Sequence, residues 1–118
     1  MTNKRSFGKL GEELAARHLI NSGLEMLTQN YQCPIGEMDI IARQGETLVF
    51  VEVRTRRSAL YGWGEESITY QKAKRLRAIA AYYIRQAGYQ RWPCLRFDVI
   101  AIRWSADSPE IKWIQAAL

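Results

Sequence analysis

The sequence predicts an α/β fold, a mixed central sheet flanked by helices, from three observations. Two stretches carry apolar residues at helical spacing, three short β-prone segments lie between them, and two more strand-like segments close the chain. At 118 residues the chain is long enough for one core and short for two, so residues 1–118 are read as a single domain. A hydrophobic fraction of 47% with 25% charged residues matches ordinary globular proteins and argues against disorder and collagen-like repeats.

The first helix is expected over residues 7–22, because Leu10, Leu14, Ala15, Leu19 and Ile20 recur at helical spacing and Asn21-Ser22-Gly23 provides a stop. His18 is expected on its surface. Strands follow at 25–31, 38–42 and 47–54, with Gln44-Gly45 turning between the last two. Residues 56–66, with Gly62 and Gly64 around Trp63, read as an ordered loop. A second helix over 69–87 carries the stripe Leu76, Ile79, Ala80, Tyr83 and Ala87. Strands at 95–104 and 111–114, joined by Ser105-Ala106-Asp107-Ser108-Pro109, complete the order αβββαββ.

A formal charge of +5 favours polyanionic partners through phosphate contacts, although charge alone fits simple solubility equally well. Charges interrupt every apolar stretch, and Met1-Thr2-Asn3-Lys4-Arg5 does not lead into a hydrophobic signal, so a cytoplasmic protein with no membrane association is expected. Cys33 and Cys94 lie far apart with no second ligand pair, and His18 is the only histidine, which argues against a zinc site and a structural disulfide.

The chemistry concentrates in Gly36-Glu37-Met38-Asp39 and, one hairpin later, Val49-Phe50-Val51-Glu52-Val53-Arg54. Alternation along the strand puts Glu52 and Arg54 on one face. If Asp39 lies opposite or diagonal to Glu52, two carboxylates can share a hard cation. Mg2+ or Mn2+ suits such a pair, since magnesium needs only one or two protein carboxylates besides water and phosphate. The reaction would be phosphodiester hydrolysis, with Arg54 offsetting transition-state charge. The competing reading makes Glu52 an edge-strand charge paired with Arg54 or Arg43. Against it, a segment as apolar as Leu48 to Val53 looks central, where an acid needs a partner or a metal.

These residues bring a resemblance into view. Gly8-Lys9-Leu10-Gly11-Glu12, Gly36-Glu37-Met38-Asp39, Phe50-Val51-Glu52-Val53-Arg54 and Arg96-Phe97-Asp98 together resemble the YraN family of uncharacterised bacterial proteins, over most of the chain. That family is placed in the restriction-endonuclease-like, PD-(D/E)xK superfamily and likened to archaeal Holliday junction resolvases. The resemblance implies a restriction-endonuclease-like core and a catalytic set of Glu12, Asp39, Glu52 and Arg54, with Asp39 and Glu52 as metal ligands. Arg54 departs from the superfamily's lysine, because arginine stays protonated and cannot act as a base. Lys72, one turn before Leu76, either supplies that lysine or snorkels past the core edge, and the second reading is the plainer one.

Arg56, Arg57, Lys72 and Arg75 are candidates to grip phosphates on either side of the site, and Tyr61 and Trp63 to stack on unpaired bases. Lys74 and Arg77 read as a solvated helix face, and Trp92, Trp104 and Trp113 as packing or dimer contacts. Three functions remain open. One is a metal-dependent DNA endonuclease, structure-selective for single-stranded, flapped or branched DNA. The second is a nucleic-acid-binding module of the same fold with little or no catalysis, and the third a protein-interaction domain. A homodimer is expected by analogy with junction-cutting enzymes, which act on two strands.

Overall fold

Short β-branched runs bounded by turns build the sheet. The computed structural model describes residues 4–56, 68–105 and 108–118. Along them lie α1 (Lys4–Asn21), β1 (Glu25–Cys33), β2 (Gly36–Gln44), β3 (Thr47–Arg56), α2 (Tyr70–Gln86), β4 (Cys94–Ser105) and β5 (Ser108–Ile114). The sequence-based limits fall inside most of these strands: β2 extends two residues beyond 38–42 at each end, and β5 starts at Ser108 rather than 111. Polar ends such as Gly36-Glu37 and Arg43-Gln44 complete backbone ladders without contributing apolar signal.

The five strands lie in the order β1-β2-β3-β4-β5. The first three form antiparallel hairpins, β3 and β4 run parallel, and β5 returns antiparallel to β4. The β2–β3 connection is Gly45-Glu46, and Gly45 at φ 61° takes the left-handed backbone that so tight a turn demands. A parallel pair needs a long crossover, and residues 57–93 with α2 provide it. β3 is therefore central, with both faces covered, which explains why Leu48-Val49-Phe50-Val51 is continuously apolar and buried.

One face packs on α1: Ala15, Ala16 and Leu19 meet Ile40, Val49, Val51, Ile100 and Ile102. The other packs on α2: Leu76, Ile79, Ala80 and Ile84 meet Met38, Ile41, Leu48 and Phe50. The expected α1 stripe needs correction, since Leu10 and Ile20 are exposed and Ala16 is buried in their place. The helix turns its small residues inward because it runs close to β3, where a Cβ on Gly11 would collide with the Thr55 hydroxyl. His18 is half-buried rather than superficial, edge-on to Trp113 at 5.8 Å. In α2, Ala73 and Ile84 join the buried stripe, Tyr83 is half-buried, and Ala87 is the exposed C-cap. Thr69 caps the helix, its hydroxyl accepting from the Lys72 amide at 3.1 Å.

Among the described residues the buried charged side chain is Asp98. It accepts from the Arg96 guanidinium at 3.0 Å, from the Trp113 indole at 2.9 Å and from the Ala116 amide at 3.0 Å, tying β5 and the C-terminal residues to β4. Asp98 thus pairs with a basic residue and braces the fold. Cys33 and Cys94 are free thiols. No helix among the described residues is long and apolar enough to cross a membrane.

Candidate active site

The β2–β3 ladder ends at Ile40↔Val51. Beyond that step, among the described residues, β2 stays paired only with β1, through Tyr31↔Met38 and Gln32↔Glu37, and β3 only with β4, through Glu52↔Val99 and Val53↔Ile100. The sheet opens there, and among the described residues the inner edge of β3 has no strand partner. Asp39, the first residue past the last rung, fills the gap, and its Oδ2 accepts from the Val53 amide at 2.8 Å. The carboxylate thus satisfies a backbone donor that the departing strand leaves behind.

Burial pushes the Asp39 carboxyl up to about 6 from 3.8, and nearby Glu12, Glu52 and Glu37 push it the same way against the pull of the Val53 amide. Glu12, from α1, is itself raised by burial and by Glu37, while a hydrogen bond with the Asn30 side chain opposes the rise. Four acids from α1, β2 and β3 therefore share one electrostatic neighbourhood. The site favours anything that brings positive charge to Asp39.

Two cations already reach Glu52. Its Oε2 lies 3.3 Å from the Arg54 guanidinium, two residues on along the same face of β3, and its Oε1 pairs with the Lys72 ammonium from α2. Only about 15% of each of the Glu52 and Arg54 side chains is exposed, so the pairing is more shielded than a surface ion pair. Lys72 does not snorkel past the core edge, as its sequence position suggested. The Thr69 cap holds its backbone in the first turn of α2, from which the side chain extends to β3.

Of the residues singled out from sequence, Glu12, Asp39, Glu52, Arg54 and Lys72 gather around the sheet opening. Arg56 is half-buried at the end of β3, in register with Arg103 of β4. Arg75 is exposed on α2 and its stem passes over Gly36, where a Cβ would lie 3.2 Å from the Ile79 side chain and 3.7 Å from that of Arg75. Arg57, Tyr61 and Trp63 lie outside the described residues. Two participants were not assigned from sequence: Glu37, although it stands in the quoted motif, and Asn30 on β1. Asn30 takes a left-handed φ of 54°, which asparagine tolerates better than most residues, but nothing in a strand-like run announces it.

Among the described residues no group of three or more His, Cys, Asp or Glu side chains is arranged to hold a metal ion by itself. The donor set on offer is a pair, Asp39 and Glu52, with Glu12 near. Oxygen donors and an excess of buried negative charge fit a hard divalent cation that retains water ligands, provided the cation competes with Lys72 and Arg54 for Glu52.

The comparisons with known proteins agree on one family. The model of "Uncharacterised protein family UPF0102" matches residues 11–102, a span that includes Glu12, Asp39, Glu52, Arg54 and Lys72. A UPF0102 protein of Desulfitobacterium hafniense (strain Y51) is 52% identical over 116 residues, covering 96% of both chains. A UPF0102 protein of Moorella thermoacetica is 49% identical over 102 residues, covering 86% of this chain and 83% of its own. One from Rhodococcus jostii is 40% identical over 118 residues, covering 99% of both. With the family model spanning most of the chain and these relatives aligned almost end to end, the chain belongs to the uncharacterised protein family UPF0102, the YraN-like family.

Proposed function

We propose that this chain is a metal-dependent DNA endonuclease of restriction-endonuclease-like fold, with Asp39 and Glu52 holding Mg2+ or Mn2+. The observation that carries the reading is the meeting of Asp39, Glu52 and Lys72, from β2, β3 and α2, where the sheet opens. When bound, the cation supplies Lewis-acid polarisation of the scissile phosphate and a more acidic water. Glu12, its carboxyl raised by burial and by Glu37, takes the proton from the attacking water. Arg54 holds a non-bridging phosphate oxygen, and Lys72 offers a proton to the departing oxygen as the P–O bond breaks. The lysine missing at residue 54 is thus supplied from α2. The +5 charge and the cations of β3 and α2 favour DNA as the partner.

A second reading, a nucleic-acid-binding module of the same fold without catalysis, is favoured by one specific fact: both Glu52 oxygens are already engaged by cations. Labelled single-stranded, duplex, flapped and four-way-junction DNA, incubated at low salt with magnesium, manganese or chelator, separates the two. The nuclease reading expects metal-dependent cutting that Asp39→Ala abolishes and Lys72→Ala lowers at least 100-fold, within the usual range for a lost acid–base group. Equal binding by all three proteins with no cutting leaves the binding module. Full cutting by Lys72→Ala removes the lysine from the mechanism.

A further inference from the structure

Between Glu66 and Asp98 the chain has no acidic residue and seven basic ones. Most of this stretch is α2 and its exit. Tyr70, Lys74, Arg77, Ala81 and Arg85 are spaced four, three, four and four residues apart, so they form one stripe along the helix. Tyr70, Lys74, Arg77 and Arg85 are exposed, while Ala73, Leu76, Ile79, Ala80 and Ile84 face the core. Among the described residues Lys74, Arg77, Arg85 and Arg91 form no ion pair. A merely solvated helix face mixes both signs of charge, and this one carries a single sign.

The stripe has distinct ends. At the start of α2, Tyr70 heads the stripe and is 81% exposed, while Lys72, two residues on and so turned to the other side of the helix, reaches Glu52 at the candidate site. At the far end Gly88, at φ 80°, turns the chain out of the helix, and Tyr89 and Trp92 follow with 38% and 58% of their surface open. The Arg85 guanidinium lies over the Trp92 ring at 6.0 Å, steadying a large indole that contributes little to either core.

We propose that this stripe is a track for an unpaired nucleic-acid strand, running from the N-terminal end of α2, the end whose first turn sends Lys72 to Glu52, to a base-stacking platform at Trp92 and Tyr89. The inference rests on the nucleic-acid reading of that site and extends it to a second contact. Lys74, Arg77 and Arg85 meet successive phosphates without reading sequence, and a base stacks on the Trp92 indole, as any base can. A helix of this length spans about 25 Å at 1.5 Å per residue, which corresponds to about seven nucleotides of a strand that keeps the stacked, duplex-like rise of about 3.4 Å per nucleotide.

The test is fluorescence anisotropy of end-labelled oligothymidines of graded length, from tetramer to sixteen-mer, with chelator present at fixed low salt. Oligouridines and a blunt duplex run in parallel. Wild-type affinity is expected to climb with length and level off near eight nucleotides. Trp92→Ala should weaken the longer strands about tenfold and the tetramer hardly at all, and Trp92→Phe should retain most of the affinity. A response from thymidine and uridine strands alike makes the ligand any unpaired strand, and a response from one alone names the sugar. If Trp92→Ala binds every length as the wild type does, or loses the same factor on blunt duplex, the track is wrong. Cutting by the wild type with magnesium, with Asp39→Asn as the control, separates the two ideas. A wild type that does not cut while the length step stays intact defeats the nuclease reading alone, and wild-type cutting that Asp39→Asn abolishes, without the step, defeats the track alone.

Discussion

Asp39 shows how one side chain can serve the fold and the candidate chemistry at opposed cost. Its carboxylate caps the Val53 amide, yet burial among Glu12, Glu37 and Glu52 holds its carboxyl near 6, above the 3.8 of an open chain. The folded form therefore binds the proton more tightly. The contribution of Asp39 to stability is fully present below about pH 4, is lost as pH rises through about 6, and stays absent above that. Asp39→Asn keeps an oxygen to accept the Val53 amide and removes the charge, so without metal it should raise unfolding stability at pH 7.5 by on the order of 2 kcal/mol, with the difference vanishing near pH 4. Urea unfolding at the two pH values measures this, and equal stabilities at pH 7.5 refute it. Magnesium should narrow the gap by stabilising the wild type alone. Glu52 and Arg54 were legible in the sequence because strand alternation fixes the sides of residues in β3, whereas Asp39 depended on the hairpin register, Glu12 came only through the family resemblance and Glu37 was not assigned. Lys72 was only half legible, since its spacing put it at a core edge and its reach to Glu52 depends on how α2 lies across the sheet.

At the scale of elements, the strand and helix assignments followed from periodicity, and the misplacements share a cause. Leu10 and Ile20 were assigned to the α1 core on hydrophobicity, but α1 approaches β3 through Gly11 and turns its small side toward the sheet. Close packing favours the small face when backbones come near, a preference that hydropathy does not encode. Gly11→Ala should therefore cost about 1–3 kcal/mol, and Thr55→Ala in the same chain should recover part of it. Thermal unfolding of the single and double variants tests this, and additive losses would count against the contact. β1 hid two irregularities: a register shift between Met26 and Thr28, and the left-handed Asn30. Neither is announced by a run whose residues read as an ordinary strand. In β4, Asp98 anchors Arg96, Trp113 and the Ala116 amide. Asp98→Ala strands those donors in a buried place and should destabilise by about 3–5 kcal/mol, visible as a lower denaturant midpoint. A loss under 1 kcal/mol would show that water replaces the carboxylate readily.

For the molecule as a whole, one sheet carries two cores, and the candidate site lies where that sheet splits between β2 and β3. The α/β class could be read from sequence, as could a central β3, because only a strand covered on both faces is continuously apolar. The parallel partner of β3 could not be assigned by pattern alone, since β4 and β1 are comparably strand-like. That pairing also matters while the chain is being made. β3 becomes central only when β4 arrives, and its register joins Thr47 to Cys94 and Arg56 to Arg103. Until then a nascent chain ending before Cys94 presents Leu48 to Val53 along an open edge, the kind of exposed apolar strand that pairs with other chains. Expression of residues 1–93 should yield aggregated product that residues 94–118, supplied in trans, partly rescue, and a soluble monomer would show that the meander protects its own edge. Synthesis is thus the moment at which this topology is most exposed to failure.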